Sequence, residues 1–169
     1  MRIGTLGAHV LFVVAAMGAS GAHAESEAER IRSHMSRDFC GSFQWQGDPT
    51  VQNVAVSLGG FRIDEEGRVA AEGKGRYTTD GQITDIDVKW LIDPGTKRFE
   101  MWELNPSQLG FTTDGSHVGS LDDDLRSLSA VWTTSGSEAQ GTLSLSVCSN
   151  ATSALTPPTV AFAALPHSR

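Results

Sequence analysis

The stretch that decides the fold is residues 125–148, LRSLSAVWTTSGSEAQGTLSLSVC. Two runs in it alternate apolar and polar residues, and a polar segment at residues 134–138 separates them. The apolar positions are Leu128, Ala130 and Trp132 in the first run and Leu143, Leu145 and Val147 in the second. Alternation with a period of two on both sides of a turn predicts a β-hairpin with one buried face and one solvent-facing face.

The same period of two recurs from residue 39 to residue 148, and it predicts eight β-strands in all. Short runs rich in Gly, Pro, Asp and Asn lie between the strands, as in Asp93-Pro94-Gly95, and they favour tight turns. Gly59 and Gly60 shift the apolar phase within one run, which indicates a β-bulge. Small residues occupy the apolar face of the next strand and should leave room inside the fold: Ala71, Gly73 and Gly75.

Two segments are harder to place. Residues 98–104, RFEMWEL, carry apolar side chains on both phases, so the pattern leaves open which face is buried. Residues 110–124 are rich in glycine and aspartate, and there we predict a short strand at Ser116–Leu121 followed by an acidic turn.

Strands joined by tight turns are antiparallel neighbours, because a parallel crossover needs about a dozen residues or more. The fold class predicted is therefore all-β, an eight-stranded antiparallel up-and-down meander with a short N-terminal helix. Closing the meander into a barrel pairs its first strand with its last and removes two exposed edges. Cys40 and Cys148 would then lie side by side at the seam, and we predict a disulfide between them.

The termini differ from this pattern. Residues 1–24 combine a positive start at Arg2, the apolar run LFVVAAMGA and the motif Ala22-His23-Ala24, which together predict a cleaved signal peptide. The apolar run is about half as long as a membrane-spanning helix requires, so no membrane anchor is expected after cleavage. Residues 25–38 predict a short amphipathic helix, residues 39–148 the barrel domain, and residues 149–169 a flexible tail.

Charge and cysteine content restrict the class of protein. Arg2 is the only charged residue among residues 1–24, which leaves 12 basic and 20 acidic residues in the rest of the chain. This acidic balance, without a basic cluster, argues against nucleic acid as a partner. Two cysteines in an exported chain favour one disulfide, so the expected location is periplasmic or secreted.

In architecture, residues 39–148 resemble the calycin group, the lipocalins and avidin-like proteins, which are exported eight-stranded barrels. The resemblance lies in CGSFQW at residues 40–45 and in LSAVWTTSGSEAQGTLSLSV at residues 128–147, whose Trp132, polar turn and Gly141 look like a late avidin hairpin. Phe43 stands where the lipocalin Gly-x-Trp motif has tryptophan, so that motif is not matched. A similar barrel also serves exported bacterial proteinase inhibitors.

Candidate catalytic groups are few. After residue 24 the histidines are His34, His117 and His167, and the cysteines are better used in a disulfide, so no nucleophilic triad and no enzyme activity are expected. His117 and the nearby aspartates, Asp114, Asp122, Asp123 and Asp124, do not have the spacing of a calcium loop. We interpret them as a solvated acidic turn, and we expect neither a metal nor another cofactor.

The aromatic residues carry the functional hypothesis. Trp45, Trp90 and Trp132 fall on the apolar phase of predicted strands, and with Tyr77 they could line the barrel lumen around a small hydrophobic ligand. The competing interpretation is that these rings only fill the core, since eight strands enclose a space that side chains can occupy fully. The alternative function is a protein-interaction module, such as a proteinase inhibitor, that uses the N-terminal helix or the loop of residues 111–124.

Overall fold

The computed structural model describes residues 25–134 and 140–149. The predicted signal peptide, the tail beyond residue 149 and most of the predicted turn at residues 134–138 lie outside these ranges. Within them the chain forms a closed antiparallel barrel of eight strands, with one short helix before the first strand. The predicted fold class is confirmed.

The helix α1 spans Glu27–His34, and nine strands follow it. All pairings are antiparallel, and strands that follow one another along the chain pair with each other except β2 and β3, which both pair with β4. The strands are β1 (Asp38–Trp45), β2 (Val51–Leu58), β3 (Arg62–Ile63), β4 (Val69–Thr79), β5 (Gln82–Ile92), β6 (Arg98–Leu104), β7 (Ser116–Leu121), β8 (Ser127–Thr133) and β9 (Gln140–Val147).

The two-residue strand β3 is a continuation of β2. Both pair with β4, and Gly59 and Gly60 lie between them. The backbone N–H of Gly59 still donates to the carbonyl of Glu72 at 2.8 Å. The glycine pair therefore interrupts the ladder where the phase shift predicted a bulge, and eight long strands make the barrel wall.

The seam between the first and last strands is the predicted one. Phe39 of β1 is opposite Val147 of β9, and Trp45 is opposite Gly141. Cys40 and Cys148 form a disulfide at this seam, with their Cα atoms 5.0 Å apart. The bond joins positions separated by 108 residues, so it connects the two ends of the barrel sequence.

Several glycines occupy positions where a Cβ atom would collide with the backbone of the paired strand, and Gly73 and Gly119 are two examples. A Cβ atom built on Gly119 would lie 1.9 Å from the carbonyl oxygen of Ser129 on β8, and one on Gly73 would lie 2.2 Å from that of Ser57 on β2. Real Cβ atoms are never found this close to a backbone oxygen. A side chain at either position would push the neighbouring strands apart, so glycine is required there for the barrel to close.

Helix α1 covers one end of the barrel. Ser26 caps its first turn by accepting a hydrogen bond from the N–H of Glu29 at 3.2 Å, and Ile31 on its inner side is completely buried in the core. Arg30 donates to the carbonyl of Asp123, between β7 and β8, at 3.2 Å. We call this the α1 end; the opposite end, where β1, β4, β6 and β8 finish, is the site end.

Candidate ligand-binding site

Three polar side chains meet inside the barrel near the site end. They are Tyr77 of β4, Glu103 of β6 and His117 of β7, and each is at most 3% exposed. The Tyr77 hydroxyl donates a hydrogen bond to Oε1 of Glu103, and Nε2 of His117 lies 3.1 Å from the same oxygen. Burying a carboxyl group is costly unless it is hydrogen-bonded, so the two neighbours compensate for part of the cost of placing Glu103 there.

Strand alternation explains why these groups point inward. On β6 the buried residues are Phe99, Met101 and Glu103, so the glutamate continues the apolar row of its strand. On β7 His117 shares the inner face with the buried Leu121, four residues further along the strand. Glu103 stands near the end of β6 and His117 near the start of β7, which places both close to the site end.

Two polar atoms of this group have no protein partner. Nδ1 of His117 is fully buried and forms no hydrogen bond within the part of the chain that the structure describes. Oε2 of Glu103 likewise accepts no hydrogen bond from a described residue, since both neighbours bind Oε1. Among the described residues, the fully buried side-chain atoms without a hydrogen bond are Nε1 of Trp90 and Nδ1 of His117. Since Oε2 of Glu103 also lacks a partner but is not one of these atoms, it is not sealed from solvent.

Glu103 also lines a cavity of about 170 Å³ at the site end, which we call the site cavity. Most of its wall is aromatic, with Gln52 and Thr112 as neutral polar groups and Glu103 as its one carboxyl group among the described residues. Trp45 and Trp132 meet edge to face with their ring centroids 4.9 Å apart. The aromatic residues of the wall are Phe43, Trp45, Tyr77, Phe111 and Trp132.

One side of the site cavity is formed by the loop of residues 105–115, between β6 and β7. Gly110, Phe111 and Thr112 line the cavity, and the ring of Phe111 lies 5.1 Å from that of Tyr77. The loop is attached to the start of β5: the N–H of Ser107 donates to the carbonyl of Asp85 at 2.8 Å, and the hydroxyl of Thr84 donates to Oε1 of Gln108 at 2.7 Å. These bonds hold the loop across the site end of the barrel.

The structure brings three of the four predicted lumen residues together. Trp45, Tyr77 and Trp132 line the site cavity. Trp90 lies elsewhere in the core, where its ring packs 5.2 Å from Phe39 and 4.7 Å from Phe99. Since Phe39 and Phe99 belong to the strand ends next to α1, Trp90 fills the α1 end and does not contribute to the cavity wall.

Neighbouring atoms lie close to Gly73 and Gly75, two of the three small residues expected to leave room inside the fold. A Cβ atom on Gly75 would meet Cγ1 of Ile86 at 2.8 Å, and one on Gly73 would meet the backbone of β2. Neither glycine lines the site cavity, which lies nearer the barrel rim.

Glu103 and His117 were not identified as site residues from the sequence. His117 was interpreted as part of an acidic turn, although the alternation of Ser116–Leu121 puts it on the inner face. Glu103 shares the phase of Phe99 and Met101, and an acidic residue on an apolar phase is a signal for a buried functional carboxyl group. That signal was hidden by the apolar Trp102 and Leu104 on the other phase.

Comparison of the chain with protein-family models, with curated proteins and with solved structures found no match. Among the described residues, no group of three or more His, Cys, Asp or Glu side chains is arranged to hold a metal ion. The same residues include no helix that is both long and apolar enough to cross a membrane.

Burial raises the pKa of the Tyr77 phenol well above its usual value of 10.0, and the adjacent carboxylate of Glu103 raises it further. In the unfolded chain Tyr77 should lose its proton near pH 10, whereas in the folded protein it keeps the proton. Above about pH 10 the unfolded state therefore binds fewer protons than the folded state, and the free energy of unfolding falls as the pH rises.

Tyr77 is the only tyrosine of the chain, so the ultraviolet absorbance of tyrosinate reports on this residue alone. We expect tyrosinate to form only when alkali unfolds the protein, at the same pH as the loss of the far-ultraviolet circular dichroism signal. The Tyr77→Phe variant is the control, because it lacks this contribution to the alkaline loss of stability. Tyrosinate formation near pH 10 in a protein that is still folded would contradict the buried hydrogen bond to Glu103.

Proposed function

We propose that the protein binds a small ligand containing a single aromatic ring in the site cavity. The volume supports this size class, because an apolar protein cavity of about 150 Å³ accommodates benzene, and the site cavity measures about 170 Å³. Drug-sized molecules need about 300 Å³ or more. The proposal is for binding without chemical turnover, and we expect the protein not to be an enzyme.

The observation that carries the proposal is a carboxyl group with an unpaired oxygen in an aromatic wall. A residue that served only the stability of the core would be apolar at this inward-facing position, since burying a carboxyl group is costly. Here Oε2 accepts no hydrogen bond within the described residues, and Glu103 lines the cavity. A ligand that donates a hydrogen bond would provide a partner for Oε2.

The closed barrel and the disulfide are compatible with an exported, calycin-like protein. A closed eight-stranded up-and-down barrel is the architecture of calycin-like proteins, and we propose that the chain is of that kind. The Cys40–Cys148 bond is consistent with an oxidising compartment. Export to the periplasm or the cell exterior, with cleavage after Ala24, is the location that we propose.

Titration with benzyl alcohol, followed by tryptophan fluorescence, tests ligand binding. Trp45 and Trp132 line the cavity, so we expect a saturable change in emission as the ring enters. In the Gln52→Phe variant a larger side chain projects from the cavity wall, and it should weaken binding about tenfold or more by occupying the space of the ligand.

The matched control is Asn53→Phe. Asn53 follows Gln52 on β2 but is exposed and is not part of the cavity wall, so the same substitution there should leave the affinity unchanged. Equal binding by wild type, Gln52→Phe and Asn53→Phe would show that the ring binds outside the cavity. If neither benzyl alcohol nor any other single-ring compound of this size binds the wild type saturably, the proposed function is contradicted.

A second candidate function, a protein-interaction module, is favoured by one observation. Leu109 is fully exposed on the loop of residues 105–115, beside the cavity-lining Gly110 and Phe111. A leucine presented in this way could insert into a pocket of a partner protein. If no single-ring compound binds, Leu109 is the first residue to replace in a search for a protein partner.

A further inference from the structure

We infer that the ligand of the site cavity is a monocyclic organic cation, an aromatic ring bearing an ammonium group, and that Glu103 selects its charge. This inference rests on the proposed function and adds the chemical class of the ligand. It depends on the unpaired oxygen of Glu103, on the aromatic faces around it and on the distribution of cationic side chains.

The first argument is the local charge. Glu103 is only 3% exposed, and its only contact with a basic side chain within the described residues is the one with His117. No lysine or arginine of those residues forms an ion pair with it, although the outer surface has many such pairs, among them Arg76 with Asp85 at 2.7 Å. Burying a carboxylate is costly, and an ammonium group of a ligand can compensate for that cost at the oxygen that His117 does not contact.

The second argument is that Oε2 of Glu103 can be reached from the site cavity. Tyr77 and His117 both contact Oε1, and they approach from β4 and β7. Oε2 has no partner among the described residues and is not fully sealed in protein, while its side chain lines the site cavity. A donor placed in the cavity can therefore reach Oε2 without disturbing either existing contact. An N–H donor with a positive charge makes the stronger hydrogen bond to a carboxylate.

The third argument is the chemistry of the wall. Tryptophan, tyrosine and phenylalanine present a negative electrostatic face, so a cation within about 6 Å of such a ring is attracted to it. Five of the residues that line the site cavity are aromatic, and Trp45 and Trp132 are packed against each other. The formal net charge of the chain, −7, adds a long-range attraction for cations and a repulsion for anions.

Three probes of nearly equal size separate charge from shape: benzylamine, benzyl alcohol and benzoate. Each has one ring and one short polar group, which are cationic, neutral and anionic near neutral pH. We expect the wild-type protein to bind benzylamine about tenfold more tightly than benzyl alcohol, because the charge-assisted hydrogen bond adds to the cation–π attraction. Benzoate should show no saturable binding, since its carboxylate would face Glu103.

The Glu103→Gln variant removes the charge while it keeps an oxygen that can accept the Tyr77 hydrogen bond. The affinity of this variant for benzylamine should fall about tenfold, to the level of the wild-type affinity for benzyl alcohol. Glu100→Gln is the matched control, because Glu100 lies on the outer face of the same strand and pairs with Arg98. This variant should keep the wild-type preference for the amine.

The outcomes separate the inference from the function on which it rests. If none of the three compounds binds, the proposed function fails. If benzyl alcohol or benzoate binds the wild type as tightly as benzylamine does, the cavity is a ligand site but the inferred cation selectivity is overturned. The ranking in the wild type decides this point even if Glu103→Gln does not fold. An unchanged preference for benzylamine in a folded Glu103→Gln variant would also overturn the role of Glu103.

Discussion

Replacing Gly119 with alanine is expected to destabilise the protein by about 3 kcal/mol or more, at the upper end of the range for overpacking. The added Cβ atom would lie 1.9 Å from the carbonyl oxygen of Ser129 and 2.5 Å from Cα of Ala130. Both are backbone atoms of β8, so no side chain can rotate away to make room. The strands β7 and β8 must separate, and their hydrogen bonds lengthen along the register from Ser116 to Leu121.

Gly60→Ala is the matched control for this experiment. A Cβ atom on Gly60 would meet no atom within 4 Å, and the backbone there is not left-handed. We expect this variant to unfold within about 1 kcal/mol of the wild type in urea. If the urea midpoint of Gly119→Ala also matches that of the wild type, the close approach of β7 and β8 does not exist in solution.

Loss of the Cys40–Cys148 disulfide should have an effect of similar size. The bond closes a loop of 108 residues in the unfolded chain, and the chain-entropy model gives about 4.7 kcal/mol for a loop of roughly 100 residues. Measured values are commonly lower, about 2–5 kcal/mol, so the melting temperature of Cys40→Ser/Cys148→Ser should fall by about 10 °C or more. The β1–β9 ladder keeps its hydrogen bonds, so the reduced barrel should still fold.

Addition of a thiol reductant provides the control for the disulfide. It should lower the melting temperature of the wild type to that of the double serine variant and leave the variant unchanged. Two free thiols in the non-reduced wild-type protein, measured by mass spectrometry after alkylation, would contradict the bond. Equal melting temperatures of oxidised wild type and variant would show that the seam is held by the β1–β9 ladder alone.

Much of the fold could be predicted from the sequence because strand alternation is a local property. The hairpin of β8 and β9 follows from the alternation of Leu128, Ala130 and Trp132 with polar neighbours. Once the short turns require antiparallel neighbours, closure brings Cys40 and Cys148 together, as observed. The strand Ser116–Leu121 was also predicted, although the alternation of apolar and polar residues in it is weak.

The site was less predictable because it depends on which barrel end each residue occupies. Trp90 and Trp132 share the apolar phase, yet one packs beside Phe39 at the α1 end and the other lines the site cavity. This difference follows from the register and tilt of the strands, which cannot be derived from the alternation of apolar and polar residues. The contact between Glu103 and His117 joins two strands across the loop of residues 105–115, and no local pattern indicates that loop's path.

The measurement that tests the account most directly is a structure of the protein with benzylamine bound, by crystallography or by intermolecular nuclear Overhauser effects. The account predicts the ring in the site cavity, in contact with Trp45 and Trp132, and the ammonium group within hydrogen-bonding distance of Oε2 of Glu103. Trp90 should keep its contacts with Phe39 and Phe99. A cavity closed by Phe111, with the ring bound only on the outer surface of the barrel, would contradict the account.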